Sequence, residues 1–157
     1  MPLALPEVIA RELEEKARRA GVSVDEYLFD LVLRSDDPGA GARKYLEGAR
    51  ELLRQAREEL ERGDLRQASE KVWGACALAI KAHALARKGV RLESHGELWV
   101  YKNEVARELG DWVRIAFKLA DSMHKNFYEG LATREDVEDA LREVEKLVES
   151  VRGALGG

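Results

Sequence analysis

One short segment gathers most of the side chains able to do chemistry. Lys118, Asp121, Ser122, His124, Lys125, Asn126, Tyr128 and Glu129 crowd the stretch that ends at Gly130, after an otherwise apolar run. On a helix, Asp121, His124, Lys125 and Tyr128 stand at i, i+3, i+4 and i+7, so they share one stripe. Histidine titrates near neutrality, which suits His124 to act as general acid or base, with Asp121 orienting it. Lys118 and Tyr128 complete this candidate catalytic set. The competing reading is a helix C-terminus whose polar side chains finish the last turn and hold the next loop.

The remaining reactive side chains are more scattered. The three histidines, His83, His95 and His124, fall on three different predicted helices. No pair has the i, i+4 spacing that metal-binding helices use, so neither a metal nor another cofactor is expected. His83 lies near the end of an apolar helix and His95 inside a capping box, and both are expected to be structural. Cys76 sits within an apolar run and is the one cysteine, which excludes an internal disulfide. Trp73, Trp99 and Trp112 lie on apolar helix faces, as core or dimer contacts do. Gly39 and Gly41 enter a helix without a preceding strand, so they do not form a phosphate loop.

Composition narrows the classes further. The 157 residues carry 26 Lys+Arg against 30 Asp+Glu, a net charge of −4. That balance argues against a generic nucleic-acid binder relying on excess positive charge. No uninterrupted apolar run reaches the roughly 18 residues a membrane span needs. The start lacks the basic region and long apolar core of a signal peptide, and a reducing cytoplasm is the simplest compartment. Arg (17) outnumbers Lys (9), and Asn, Gln, Cys and Met total seven. Dense mixed charge with few thermolabile residues suits a thermophile.

These residues must be positioned by helices. No proline follows Pro38, and no window shows strand alternation. Leu5-Pro6-Glu7 opens a first helix with Val8, Ile9, Leu13 and Ala17 on one stripe, and Gly21 stops it. Ser23 and Glu26 make a capping box for a second helix, with Val24, Tyr27, Leu28, Leu31 and Val32 on one face. Residues 1–35 thus form a helical hairpin, 36–41 a linker, and 42–153 an up-and-down antiparallel bundle of five helices. Within the bundle every residue from Val72 to Ile80 is apolar or glycine, which marks the central, most buried helix. Leu98–Leu109 and Trp112–Phe127 follow, and Thr133 caps the last helix. The fold class is all-α.

Three of these segments carry a resemblance. WGACALAIKAHALARKG, SHGELW and SMHKNFYEG, with the long terminal helix, resemble the archaeal PaREP-type family over about residues 42–152. That family's bundle is similar to HEPN domains, helical bundles that usually dimerise and include ribonucleases and their inactive relatives. The resemblance implies a homodimer, with RNA or a nucleotide as a candidate partner. The HEPN ribonuclease motif pairs an arginine, commonly followed by a polar residue, with a histidine after four to six intervening positions. His124 matches the histidine; only Lys118 falls in the arginine's window, followed by Leu119 rather than a polar residue. Lysine lacks the planar fork that grips phosphate, so the motif points away from catalysis. The hairpin is similar to the helices of ribbon-helix-helix proteins, but Met1–Leu5 offers no side chain that reads a base edge.

Three functions follow in order. The first is a non-catalytic homodimerisation or interaction module. The second is a HEPN-like ribonuclease or nucleotide-binding protein using His124, Lys118, Asp121 and Tyr128. The third is a DNA-binding regulator acting through the hairpin, for which a dimer clasp or a cap on the bundle is the preferred alternative.

Overall fold

Helix ends fall where the sequence places caps and glycines. The computed structural model describes residues 4–156 and contains no strand among them. Seven helices follow in order: α1 (Glu7–Ala20), α2 (Val24–Leu33), α3 (Pro38–Arg62), α4 (Leu65–Lys88), α5 (His95–Leu109), α6 (Trp112–Glu129) and α7 (Arg134–Ala154). Ser23/Glu26, Ser94/Glu97 and Thr133/Asp136 form reciprocal capping boxes at α2, α5 and α7. Gly21 closes α1 in the left-handed conformation, its φ of 72° being one a side chain would resist. Of the Met1–Leu5 segment that a ribbon-helix-helix fold would use as a strand, residues 1–3 lie outside the described residues. Ala4 and Leu5 are not in a strand.

The core is built around α4. Every residue from Val72 to Leu85 is buried, because α3, α5, α6 and α7 surround this helix. Gly74 allows α3 close: a Cβ there would lie 2.9 Å from Leu52 Cδ1. Val137, Leu141, Val144, Leu147, Val148 and Val151 line the inner face of α7 at bundle spacing. Charges keep to the outside. Arg57 meets Glu145 at 2.7 Å and Arg50 meets Glu149 at 3.4 Å across α3 and α7, all half exposed and energetically minor.

Two expectations need correction. Residues 36–41 are not a free linker. Asp37 caps α3, its side chain accepting from Ala40 N at 3.3 Å, and Pro38 takes the first helical position. Gly39, Ala40 and Gly41 therefore form the first turn. Gly41 is there for packing, since a Cβ would lie 2.8 Å from Leu85 Cδ2. The pattern of large apolar residues also selected the wrong face of α2. Val32 is 71% and Leu31 39% exposed, whereas Glu26, Phe29, Asp30 and Leu33 turn toward α3 and α4. A partly polar face is buried because the bundle supplies partners for it. Lys81, 1% exposed, donates to Asp30 at 2.8 Å and to the Leu92 carbonyl at 2.6 Å. Tyr45 donates to Asp30 at 2.6 Å.

Phe29 rests over Gly48 of α3 so closely that a Cβ at Gly48 would overlap the ring. Gly48→Ala is therefore expected to lower stability by about 1–3 kcal/mol, as overpacking does. Urea denaturation measures this; an unchanged midpoint would mean that Phe29 is not docked there.

Candidate active site

The site is assembled where α4, α5, α6 and the hairpin turn converge. His124 enters from α6, its Nδ1 2.8 Å from Glu70 Oε1 on α4. Glu70 sits two residues before the apolar run, on the same face as Trp73 at i, i+3. His95, the first residue of α5, places Nε2 2.9 Å from Asp121 Oδ1 on α6. This contact is off the axis of a hydrogen bond and leaves Asp121 Oδ1 without one; His95 Nδ1, the other ring nitrogen, is also buried without a hydrogen-bond partner. The Trp73 indole lies against both imidazoles, fully buried, with ring centroids 5.2 Å from His95 and 5.6 Å from His124. The imidazoles are 6.1 Å apart and 23° from parallel.

Trp73 is fixed from below and behind. Its Nε1 donates to Glu26 Oε2 at 2.9 Å, and Glu26 also accepts from Ser23 N at 2.9 Å through the capping box of α2. The Phe117 ring meets the indole edge-on at 5.5 Å and does the same to Trp99 at 5.5 Å. Buried Lys102 lies 4.1 Å from the Trp99 ring centre. Gly21 of the hairpin turn approaches His95, so the hairpin borders the site as well as anchoring its floor.

Electrostatics follow from these contacts. Burial works against a charged His124, but the Glu70 contact, reinforced by Glu26 and Asp121, prevails and holds it above the ordinary histidine value. Burial likewise works to raise Asp121; His95 and Lys125 outweigh it and keep the carboxyl below its usual range. Burial pushes Glu26 up despite Lys81, 4.0 Å away.

The expected residues separate in instructive ways. Asp121 does not orient His124; it faces His95, and Glu70 holds His124. Three residues advance about 4.5 Å along a helix, so the two side chains meet different neighbours. Lys125 stays with Asp121 at 3.6 Å, 68% exposed. Tyr128, 53% exposed, sets its ring edge against His124 at 5.7 Å. Lys118 is exposed on α6 and makes no ion pair among the described residues. Asn126 is structural: it donates to Ser69 Oγ at 2.8 Å and accepts from Ala132 N at 2.6 Å, holding the turn after α6. His83 is structural too, bound to Tyr101 at 2.9 Å and Glu108 at 2.8 Å. Burial holds its imidazole below the ordinary value against the pull of Glu108. Sequence reasoning missed Glu70, Trp73, Glu26 and the role of His95. Only Glu70 had a local signal, as a carboxylate on the face of an otherwise apolar helix. No group of three or more His, Cys, Asp or Glu able to hold a metal occurs among the described residues.

Residues 44–148 match the sequence profile of the archaeal PaREP1/PaREP8 family, about two thirds of the chain. The protein belongs to the archaeal PaREP1/PaREP8 family. The matched PaREP1/PaREP8 residues include Glu70, Trp73, His95, Asp121 and His124, while Glu26 and the hairpin precede them. A crystal structure of a Sulfolobus solfataricus protein is similar, with a TM-score of 0.62 and 26% identity over 69% of this chain and 96% of that one. No curated protein matches the chain.

The raised His124 value has a definite sign. Its contribution to stability is complete below the unfolded value near 6.5 and is lost as pH rises through the folded value. Glu70→Gln is expected to return the His124 titration, followed by NMR, toward or below 6.5 and to remove this loss of stability as pH rises above about 6.5. An unmoved titration would show that Glu70 does not hold the ring.

Proposed function

We propose that the His95–His124 cluster is an acid–base site acting on RNA or a nucleotide. The observation that carries this reading is the pair of near-parallel imidazoles 6.1 Å apart, each set against its own carboxylate. At His124 the carboxylate contact to Nδ1 fixes tautomer and orientation and leaves Nε2 for proton transfer. At His95 the nitrogen facing Asp121, Nε2, is the one that exchanges a proton, because Nδ1 is buried. His124 Nε2 has no hydrogen-bond partner among the described residues, and its neighbour Tyr128 is half exposed. Two such groups supply both proton movements of a phosphodiester transfer. One takes the proton from a ribose 2′-hydroxyl as that oxygen attacks the adjacent phosphorus. The other gives a proton to the departing 5′-oxygen, leaving a 2′,3′-cyclic phosphate. Lys125 and Lys118, exposed on α6, supply positive charge near the phosphate as point charges. The HEPN-like reading is supported to this extent, with the carboxylate-held histidine pair in place of the arginine–histidine motif.

Incubation with structured RNA tests the proposal. His124→Ala and His95→Ala are each expected to slow cleavage at least about 100-fold. No cleavage by the wild type, or identical products from all three proteins, sinks it.

One observation favours a second reading, a homodimeric interaction module. Trp99, Val100 and Ile115, on the neighbouring helices α5 and α6, are 40%, 69% and 59% exposed. Light scattering after size-exclusion chromatography is expected to give twice the chain mass, reverting to the chain mass in Val100→Asp with Ile115→Asp. A wild-type monomer at micromolar concentration removes this reading.

A further inference from the structure

A cleft of about 630 Å³ opens between the hairpin and the facing parts of α4 and α6. That size lies within the range of small-ligand sites. It is distinct from the histidine pair, yet Glu70 and Tyr128, which both touch His124, line it.

Its walls have separate characters. One is aromatic: Phe127 and Tyr128 meet edge to face at 5.0 Å. Arg66 pins this wall, donating to the Phe127 carbonyl at 3.0 Å and the Tyr128 carbonyl at 2.7 Å. The hairpin contributes an apolar surface from Ala17, Val22 and Val24, and a rim bearing Arg11 and Arg18.

The charges are not equally available to a ligand. Glu70 is committed to His124, and Asp25 to Lys71 at 3.0 Å. The Arg11 and Arg18 side chains are 70% and 68% exposed, and their partners Glu7 and Glu15 lie on the same helix. Exposed pairs of this kind contribute about 0–1 kcal/mol each, so an incoming anion displaces them at little cost. Glu14 and Glu15 on the same rim repel a polyanion. A single phosphate joined to a flat ring fits; a triphosphate does not.

We infer that this cleft binds a nucleoside monophosphate, its base against Tyr128 and its phosphate toward Arg11 and Arg18. The inference rests on the acid–base reading of His124, for which the cleft would hold a nucleotide beside the reacting centre. Base stacking on an aromatic face tolerates any base, so purine and pyrimidine should both bind.

Isothermal titration of the full chain with AMP and with UMP tests it. Saturable binding is expected for both, weakened at least about tenfold in Arg11→Ala/Arg18→Ala and in Tyr128→Ala. All three positions are exposed, and circular dichroism of the variants verifies that they remain helical. Absence of saturable binding to the wild type, or a weakening below about tenfold in either variant, overturns the inference. His95→Ala separates the two claims, because Trp73, Trp99, His124 and Asp121, against which His95 lies, do not line the cleft. It is expected to bind AMP as the wild type does while losing RNA cleavage; cleavage without AMP binding in the wild type sinks the cleft alone, and binding without cleavage sinks the acid–base reading alone.

Discussion

A single buried carboxylate ties the molecule together. Glu26 is 0% exposed, yet it does three things at once. It accepts from Ser23 N to start α2, accepts from Trp73 Nε1 on the central helix, and faces the buried ammonium of Lys81. Taking a carboxylate out of water costs several kcal/mol, and such a group persists only where donors and an opposite charge surround it. The direction in which α2 docks is set by this requirement more than by apolar area, which is why its large aliphatic residues are left outside. Glu26 Oε1 remains without a hydrogen bond, and burial holds the carboxyl above its ordinary range, so the arrangement keeps a cost it has not offset.

From that anchor the site follows by contact. Glu26 fixes the Trp73 indole, the indole packs against both His95 and His124, and the rings continue through Trp99 and Phe117 back to Trp73. Two histidine–carboxylate pairs occupy the polar rim of this aromatic cluster. Burying so many ionisable groups against one tryptophan is costly in a bundle that has ample apolar core elsewhere, and such clusters concentrate at functional sites. The hairpin lies outside the residues matched to the PaREP1/PaREP8 family, but it supplies Glu26 to the floor and Gly21 to the border. It is structurally part of the site.

Much of the local structure was legible from residue types. Capping boxes at Ser23, Ser94 and Thr133 and the stop at Gly21 need only neighbours three or four positions away. The burial of Val72–Ile80 followed from an apolar run with no polar face to offer solvent. Patterning failed where a polar residue was buried: Glu26 shows only its capping-box role, and nothing local marks Asp30 or Lys81, until partners 47 and 51 positions apart are brought together. The same limit misled the reading of Asp37-Pro38-Gly39, whose breaker residues here begin a helix.

The polar end of α6 was recognisable, but its wiring was not. His124 and Asp121 share a helix stripe, and spacing alone couples them; the bundle instead gives His124 to Glu70 on α4 and Asp121 to His95 on α5. The sequence by itself determined the helices, most of their ends, the buried central segment and the family. Only the tertiary structure decided which carboxylate serves which histidine, because those pairs join residues 26 to 54 positions apart, on helices whose relative rotation is set by packing rather than by local periodicity.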